Sequence, residues 1–378
     1  MSGAQAVHAY TPGLRVTANT VVSRLRRLPL PGEVHVAVGD HVHSSDVVAS
    51  TSLPGRVHTL NVAHELNCAP NEIGRYVVKQ VGESIRRGEV LAETRALWGL
   101  LHSYVKAPIE GTIESISTIT GQVLFRGDPI PVQLDAYVDG VVTEVYKTEG
   151  VTVRSRCALV QGIFGIGGER YGPLMLTCDA PGQLLDACNV PPDCAGRVLV
   201  SGGRVTYDAL QAAIEYQAVG VVAAAIDSDD LDRLTGEPIG VAITGHEDIP
   251  LSLVITEGFG ELAMADGTLR ILRDLDGRQA SVSGVTQIRA GVMRPEVIVS
   301  SGAEPPVDVA EEPAARMSVG SRIRIIRAPH FGELAEVVSL PTEPARIETE
   351  AYVRVLQARL ADDSVVTIPR ANVELIQQ

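Results

Sequence analysis

Two glycine-rich turns carry the residue types best suited to hold an anion. The stretch VSGGRVT (200–206) sets Gly202, Gly203 and Arg204 ahead of a helical pattern, and TEGFGEL (256–262) sets Gly258 and Gly260 likewise. Glycine lets backbone amides approach a ligand, and free amides at a helix N-terminus attract negative charge. These five residues are candidate ligand-binding positions. A third run, GIFGIGGERYG (162–172), spaces Gly162 and Gly167 as a phosphate loop does, but Gly168 and Glu169 stand where that loop needs Lys and Ser or Thr. Glu169 would repel phosphate, the following YGPLMLTC reads as a strand, and Arg170 replaces the third glycine of a dinucleotide fingerprint. That run is expected to be a hinge into the next segment.

Histidine and cysteine placement raises metal chemistry. Five of the nine histidines (His35, His41, His43, His58, His64) fall within 35–64, with Cys68 close behind. His41 and His43 share one face of a strand, yet the spacing matches no zinc-ligand pattern, and no metal is expected. Cys178, Cys188 and Cys194 lack CxxC spacing. DSDDLD (227–232) lacks the glycine and spaced ligands of a calcium loop and reads as an acidic helix start. The chain has neither a Gly-x-Ser-x-Gly elbow nor an HExxH pair. No catalytic residue and no cofactor is expected.

The elements that must position these residues are mostly strands. Aromatic residues make up 4% against 45% hydrophobic overall, so cores must be built from Val, Ile, Leu and Ala, while 36 Gly and 22 Pro supply frequent turns. Lys+Arg 32 against Asp+Glu 46 gives a net charge of −14, which argues against a phosphate-gripping face for nucleic acid. The first residues lack a signal-peptide pattern, and no apolar run reaches the roughly 18 residues of a membrane span. Five cysteines, an odd number, fit reduced thiols. A cytoplasmic protein with no membrane partner is expected.

Residues 14–170 alternate short Val/Ile-rich runs with tight turns, and they repeat. GEVHVAVGDHVHSSDVVAST (32–51) is echoed by VVKQVGESIRRGEVLAET (77–94), and KAPIEGTIESISTITGQVLFRGDPI (106–130) by DAYVDGVVTEVYKTEGVTVRSRCAL (135–159). One unit cannot bury its apolar face alone, so the copies must interlock. The pattern resembles the barrel-sandwich hybrid fold of biotinyl and lipoyl domains. Residues 173–300 change period. GRVLVSG (196–202) and GVVAAAI (220–226) predict strands around a helix over 206–218, with Thr206 as N-cap and Gly220 as stop. PLSLVIT (250–256), a helix over 260–277, RQASVSG (278–284) and EVIVS (296–300) make a second round. This α/β stretch resembles the swivelling β/β/α domains. Residues 301–316, rich in Pro, Glu and Ala, predict a linker. VGSRIRIIRAPHFGELAEVVSL (319–340) and VVTIPRANVELI (365–376) resemble a KOW motif and the close of an SH3-like barrel over 317–378, with Gly332 at the motif's turn and Ala335 in place of a second glycine.

The expected fold class is therefore multidomain and mainly β with an α/β middle. The likeness to carrier domains asks for a modified lysine at the hairpin tip between GEVLAET (88–94) and VKAPIEG (105–111). Residues 95–104, RALWGLLHSY, hold none, and Lys106 stands inside the returning arm, so the carrier's nucleophile is missing. The tip carries Leu97, Trp98 (the single tryptophan) and Leu100, an apolar group that suits a protein contact. Arg322, Arg324 and Arg327 give the KOW-like segment a short basic strip without aromatic stacking residues. The first expectation is a non-catalytic adaptor with a protein partner, docking through the tip and the KOW-like barrel. Its rivals are an anionic-ligand protein or enzyme subunit with its site in the α/β segment, and an RNA- or ribosome-associated factor acting through the arginine strip. Oligomeric state stays open.

Overall fold

The computed structural model describes residues 14–96, 101–236, 249–286, 293–303, 317–325, 330, 333–341, 343–346, 352–360 and 362–377. Strand accounts for 49% and helix for 14%, so the chain is mainly β and is arranged in several sheets. No helix among the described residues is long and apolar enough to cross a membrane. Leu97, Trp98, Leu100, Gly332 and Arg327, together with 304–316 of the expected linker, lie outside the described residues.

The repeat is reproduced hydrogen bond by hydrogen bond. In the first copy the amides of Ala37 and His43 donate to the carboxylates of Asp40 and Asp46, both at 2.8 Å. In the second copy the amides of Gln80 and Arg86 donate to Glu83 and Glu89 at 3.1 and 2.9 Å. Gly39 and Gly82 both take positive φ, 94° and 90°, where a side chain would be strained, and their amides donate to Val142 O and Ile113 O. Each copy closes its own core, around Val42, Val48, Val142 and Val153 in one and Ile85, Leu91, Ile113 and Phe125 in the other.

The two copies are nested. Val47–Leu53 pairs with Ile130–Asp135 starting from Leu53↔Ile130, just as Val90–Ala96 pairs with Leu101–Lys106 from Ala96↔Leu101, and both ladders shift register at the same far end. Four residues of sequence separate Ala96 from Leu101 in the second ladder, whereas the first carries the whole of 54–129 between Leu53 and Ile130. Beyond that break the ladder resumes at Val57↔Arg126 in an unchanged register, which sets Pro54 opposite Pro129. Proline has no amide to donate across the break. The strands meet there through Gly127 N donating to Arg56 O at 2.9 Å, and Gly55 has no room for a side chain, since a Cβ would lie 1.8 Å from Gly127 O. The second copy therefore hangs from the first by a two-strand neck.

Leu14–Arg27 and Gly150–Gln161 form the long antiparallel pair that ties the repeats to the remainder. Gly150–Gln161 also pairs with Glu296–Ser300, and Glu169–Leu176 with Gln279–Ser283, so hydrogen bonding runs unbroken into the α/β layer. There Glu169–Leu176, Val198–Val200, Gly220–Ile226 and Ser252–Phe259 lie parallel in that order. All of Gly220–Ile226 is buried, as a strand covered on both faces must be. The first helix runs Tyr207–Glu215 with Thr206 Oγ1 accepting from Ala209 N at 3.1 Å. It ends earlier than Gly220, because Gln217 adopts the left-handed conformation at φ 61°. The helix expected over 260–277 is cut to Asp266–Asp274. Residues ahead of it turn aside, with Met264 N donating to Gly202 O at 2.8 Å and Ala265 N to Glu257 Oε1 at 3.1 Å.

The glycine run at 162–168 is not a hinge. Phe164–Ile166 is a buried strand paired with Ser252–Phe259, and a Cβ on Gly165 would lie 2.6 Å from Leu253 O and 2.7 Å from Gly284 O. Close backbone packing, not flexibility, requires glycine there. At the C-terminus, Arg322–Ile325, Leu334–Ser339, Tyr352–Arg359, Val365–Pro369 and Val373–Gln377 make an antiparallel sheet around Ile323, Val337, Leu356 and Val373. Its last strand lies parallel to the start of Leu14–Arg27, at Leu14↔Ile376.

Candidate functional site

A cleft of about 420 Å³ opens where the first repeat copy abuts the strands that return from the α/β layer. His41 and His43 come from the short strand His41–Val42 and the turn after it, which pairs with Gly140–Tyr146 through Gly140↔Val42. Asp139 stands just before that partner strand. Arg156 lies on Gly150–Gln161, Arg278 stands just before Gln279–Ser283, which Gln279 opens, and Ser300 ends Glu296–Ser300. The floor is apolar, from Val42 and Val141.

The polar groups are held by hydrogen bonds between segments distant in sequence. Asp139 Oδ1 accepts from Ser44 N at 2.6 Å, which commits the cleft's one carboxylate to its own wall. Arg156 Nε donates to Asn19 Oδ1 at 3.1 Å, and Arg278 Nη2 donates to Ser300 O at 2.6 Å. Ser301 N and Oγ both donate to Arg156 O, at 2.8 and 2.9 Å, pinning the chain that follows Ser300 across the arginine's backbone. Among the described residues neither Arg156 nor Arg278 forms an ion pair, whereas Arg24, Arg26, Arg27, Arg126, Arg204, Arg233 and Arg324 all do.

The sequence candidates fall elsewhere. Gly202 and Gly203 do precede a helix, but their amides are taken: Gly202 N donates to Cys178 Sγ at 3.0 Å and Gly203 N to Ser201 Oγ at 3.4 Å. A Cβ on either would lie 2.6 Å from a carbonyl oxygen of the 180–183 segment, so these glycines serve close packing. Arg204 is neutralised by Asp227, Asp230 and Glu261. Gly258 lies within the buried strand Ser252–Phe259, and Gly260 stands six positions ahead of the helix Asp266–Asp274 rather than at its start. The free amides expected at these turns are therefore engaged or misplaced.

Arg322 is exposed, but Arg324 is not part of a surface strip. It is buried, donates Nη1 to Thr256 O at 3.1 Å, and pairs through Nη2 with the equally buried Glu257. Alternation along Arg322–Ile325 put both arginines on one face, and that face is covered by the α/β layer at Arg324. Among the described residues no three His, Cys, Asp or Glu side chains converge as a metal site. His35 bonds Ser50 Oγ at 2.8 Å, and His41 and His43 share the cleft.

A second polar cluster, buried at Arg26, Tyr137 and Glu296, lies between the repeats and the central sheet. Arg24 makes paired bonds to Glu296 at 2.9 and 2.5 Å, and Arg26 makes paired bonds to Glu169 at 2.7 Å each. Arg26 also donates to Asp135 O at 2.8 Å and sits 5.4 Å over the Tyr137 ring. Burial, with Glu296 and Glu169 adding to it, pushes the Tyr137 hydroxyl well above its ordinary range. Burial likewise pushes the Cys157 thiol up to about 12, which keeps it protonated and unreactive as a nucleophile. Each cation here meets a carboxylate, so the cluster joins elements and leaves no charge for a ligand.

Sequence reasoning singled out His41 and His43 but not Arg156, Arg278 or Ser300. No local signal marks those three, since they meet only when strands distant in sequence are paired. No protein-family model matches this chain, and no curated protein matches it.

Proposed function

We propose that this chain is a non-catalytic docking protein that presents its second repeat copy to a partner protein. The nested neck carries the reading. A carrier domain displays its cofactor at the hairpin tip, and here a whole second unit stands at that position on the first. Between the second unit's paired strands Val90–Ala96 and Leu101–Lys106 the sequence carries Leu97, Trp98 and Leu100 and no lysine. Display without a nucleophile suits recognition rather than cofactor transfer.

In the finer form of this reading, 14–170 is a pair of barrel-sandwich hybrid units, 173–300 a swivelling-like α/β domain, 301–316 a linker and 317–378 a KOW/SH3-like barrel. The shared turn geometry of the copies supports the first assignment, the parallel sheet with its helices the second, and the antiparallel C-terminal sheet the last. The five cysteines are free, which suits a reducing, cytoplasmic setting.

A pull-down from native lysate identifies the partner, and the purified pair is then titrated. Changing Leu97, Trp98 and Leu100 together to Ser is expected to weaken binding on the order of 100-fold, the scale of an aromatic-centred contact, with unfolding unchanged. Undiminished affinity in that variant would sink the proposal.

A further inference from the structure

The geometry points to the cleft of His41, His43, Arg156 and Arg278 as a binding site for the phosphate group of a small, non-aromatic phosphorylated metabolite. This goes beyond the docking role and rests on different residues.

Three observations converge. The first is charge. In a chain of net −14, two guanidinium groups line one cavity with no carboxylate partner among the described residues, and against its one acid, Asp139, held by Ser44 N, they leave the lining positive on balance. Each guanidinium carries five N–H donors, and one hydrogen bond fixes each here, so both are oriented yet still able to donate. The second is shape and lining. About 420 Å³ falls within the roughly 300–1,000 Å³ of small-molecule sites and is too small for a folded partner's surface. No Phe, Tyr or Trp lines it, so a nucleobase would find only imidazole and guanidinium planes to stack on, and Val42 and Val141 offer only a small apolar floor. A compact polyol phosphate matches this better than a nucleotide.

The third is provenance. His41, His43 and Gly140 belong to the repeat and have counterparts in the second copy at Ser84, Arg86 and Gly111, which occupy the same places in the equivalent pairing. Arg278, Gln279 and Ser300 have no counterpart there, because they arrive on strands from beyond the α/β layer. The cleft therefore exists only in the copy that is fused to the central sheet. The two arginines come from different segments, Arg156 on a strand and pinned through its carbonyl by Ser301, Arg278 just ahead of one and held by Ser300 O, so their spacing is set by backbone pairing and not by side-chain choice. A planar fork from each side matches the tetrahedral oxygens of a phosphate dianion, which a lysine in either place would meet only as a point charge.

The test titrates the full-length protein with inorganic phosphate, a hexose monophosphate and a single-stranded oligonucleotide, followed by calorimetry and by phosphorus NMR. The hexose phosphate is expected to bind, more tightly than inorganic phosphate. Arg278→Gln and Arg156→Gln are each expected to weaken it on the order of 10- to 100-fold, the loss of a charge-assisted bond. Ala303→Glu, an exposed change at the rim that removes no packing, is expected to abolish binding by placing a carboxylate in the cleft. Circular dichroism on each variant confirms its fold. Absence of binding by the native chain, affinity unmoved by both Arg278→Gln and Ala303→Glu, or an oligonucleotide that outcompetes the hexose phosphate would each overturn the assignment.

Discussion

Replacing Arg324 by Met removes the cation that docks the C-terminal sheet on the α/β layer while keeping most of its buried stem. Arg324 and Glu257 expose only 6% and 10% of their side chains, so neither charge can turn to water when its partner goes. Glu257 would keep one donor, Ala265 N at 3.1 Å, and Thr256 O would lose Arg324 Nη1. Breaking a buried pair from one side costs about 3–5 kcal/mol, because an uncompensated charge remains in a low dielectric. Replacing both partners by apolar residues of similar volume is often near neutral by the same reasoning. Arg324→Met should therefore lose about 3–5 kcal/mol, and Arg324→Met with Glu257→Leu should recover most of it. A chain of several cores need not unfold in one step, so hydrogen exchange is the better assay. The amide of Ile325, donated to Glu333 O at 3.0 Å, reports opening of that sheet alone. A single variant that costs under about 1 kcal/mol, or a double variant no more stable than the single, would refute the claim that this pair is a buried lock.

Gly55→Ala sets a methyl against Gly127 O, which a Cβ would approach to 1.8 Å, so the neck must deform. A loss of about 1–3 kcal/mol in thermal unfolding is expected, and an unchanged melting temperature would show that the neck yields freely. In the native protein a thiol reagent should modify the exposed Cys188 first and leave Cys157 untouched, and a fast phase that survives Cys188→Ser would contradict this. The folded chain keeps the Cys157 proton up to about 12, whereas the unfolded chain releases it near the ordinary 9.0. Stability from this group is thus complete below pH 9.0 and is lost as pH rises towards about 12. Melts on either side of that pH should show a shallower alkaline decline in Cys157→Ala.

Period and turn chemistry are local properties, and they were legible. The strand-rich repeat, the Thr206 cap and the buried run Gly220–Ile226 all follow from neighbours within a few residues, whose side chains bias the backbone before any packing occurs. The failures share a cause. Helix 260–277 shrank because Met264 and Ala265 found hydrogen-bond partners at Gly202 and Glu257, distant in sequence. The 162–168 glycines looked like a hinge because sequence cannot show which backbone will lie against them. Arg324 looked like surface charge because alternation tells which residues share a face, never what covers that face.

The carrier question divides along the same line. The absence of lysine between Arg95 and Tyr104 is a matter of sequence alone, and it removes the carrier's nucleophile whatever the fold. That the second unit stands at the tip position of the first, with Pro54 opposite Pro129, needed the register of both ladders. The cleft needed more still. Its histidines and arginines are separated by more than a hundred residues of chain, and only the pairing of Gly150–Gln161 with Glu296–Ser300 brings Arg156 and Ser300 to one wall. Local residue chemistry determines which groups are available, and long-range strand pairing decides which of them meet, because a hydrogen-bonded ladder fixes distances that no local preference encodes.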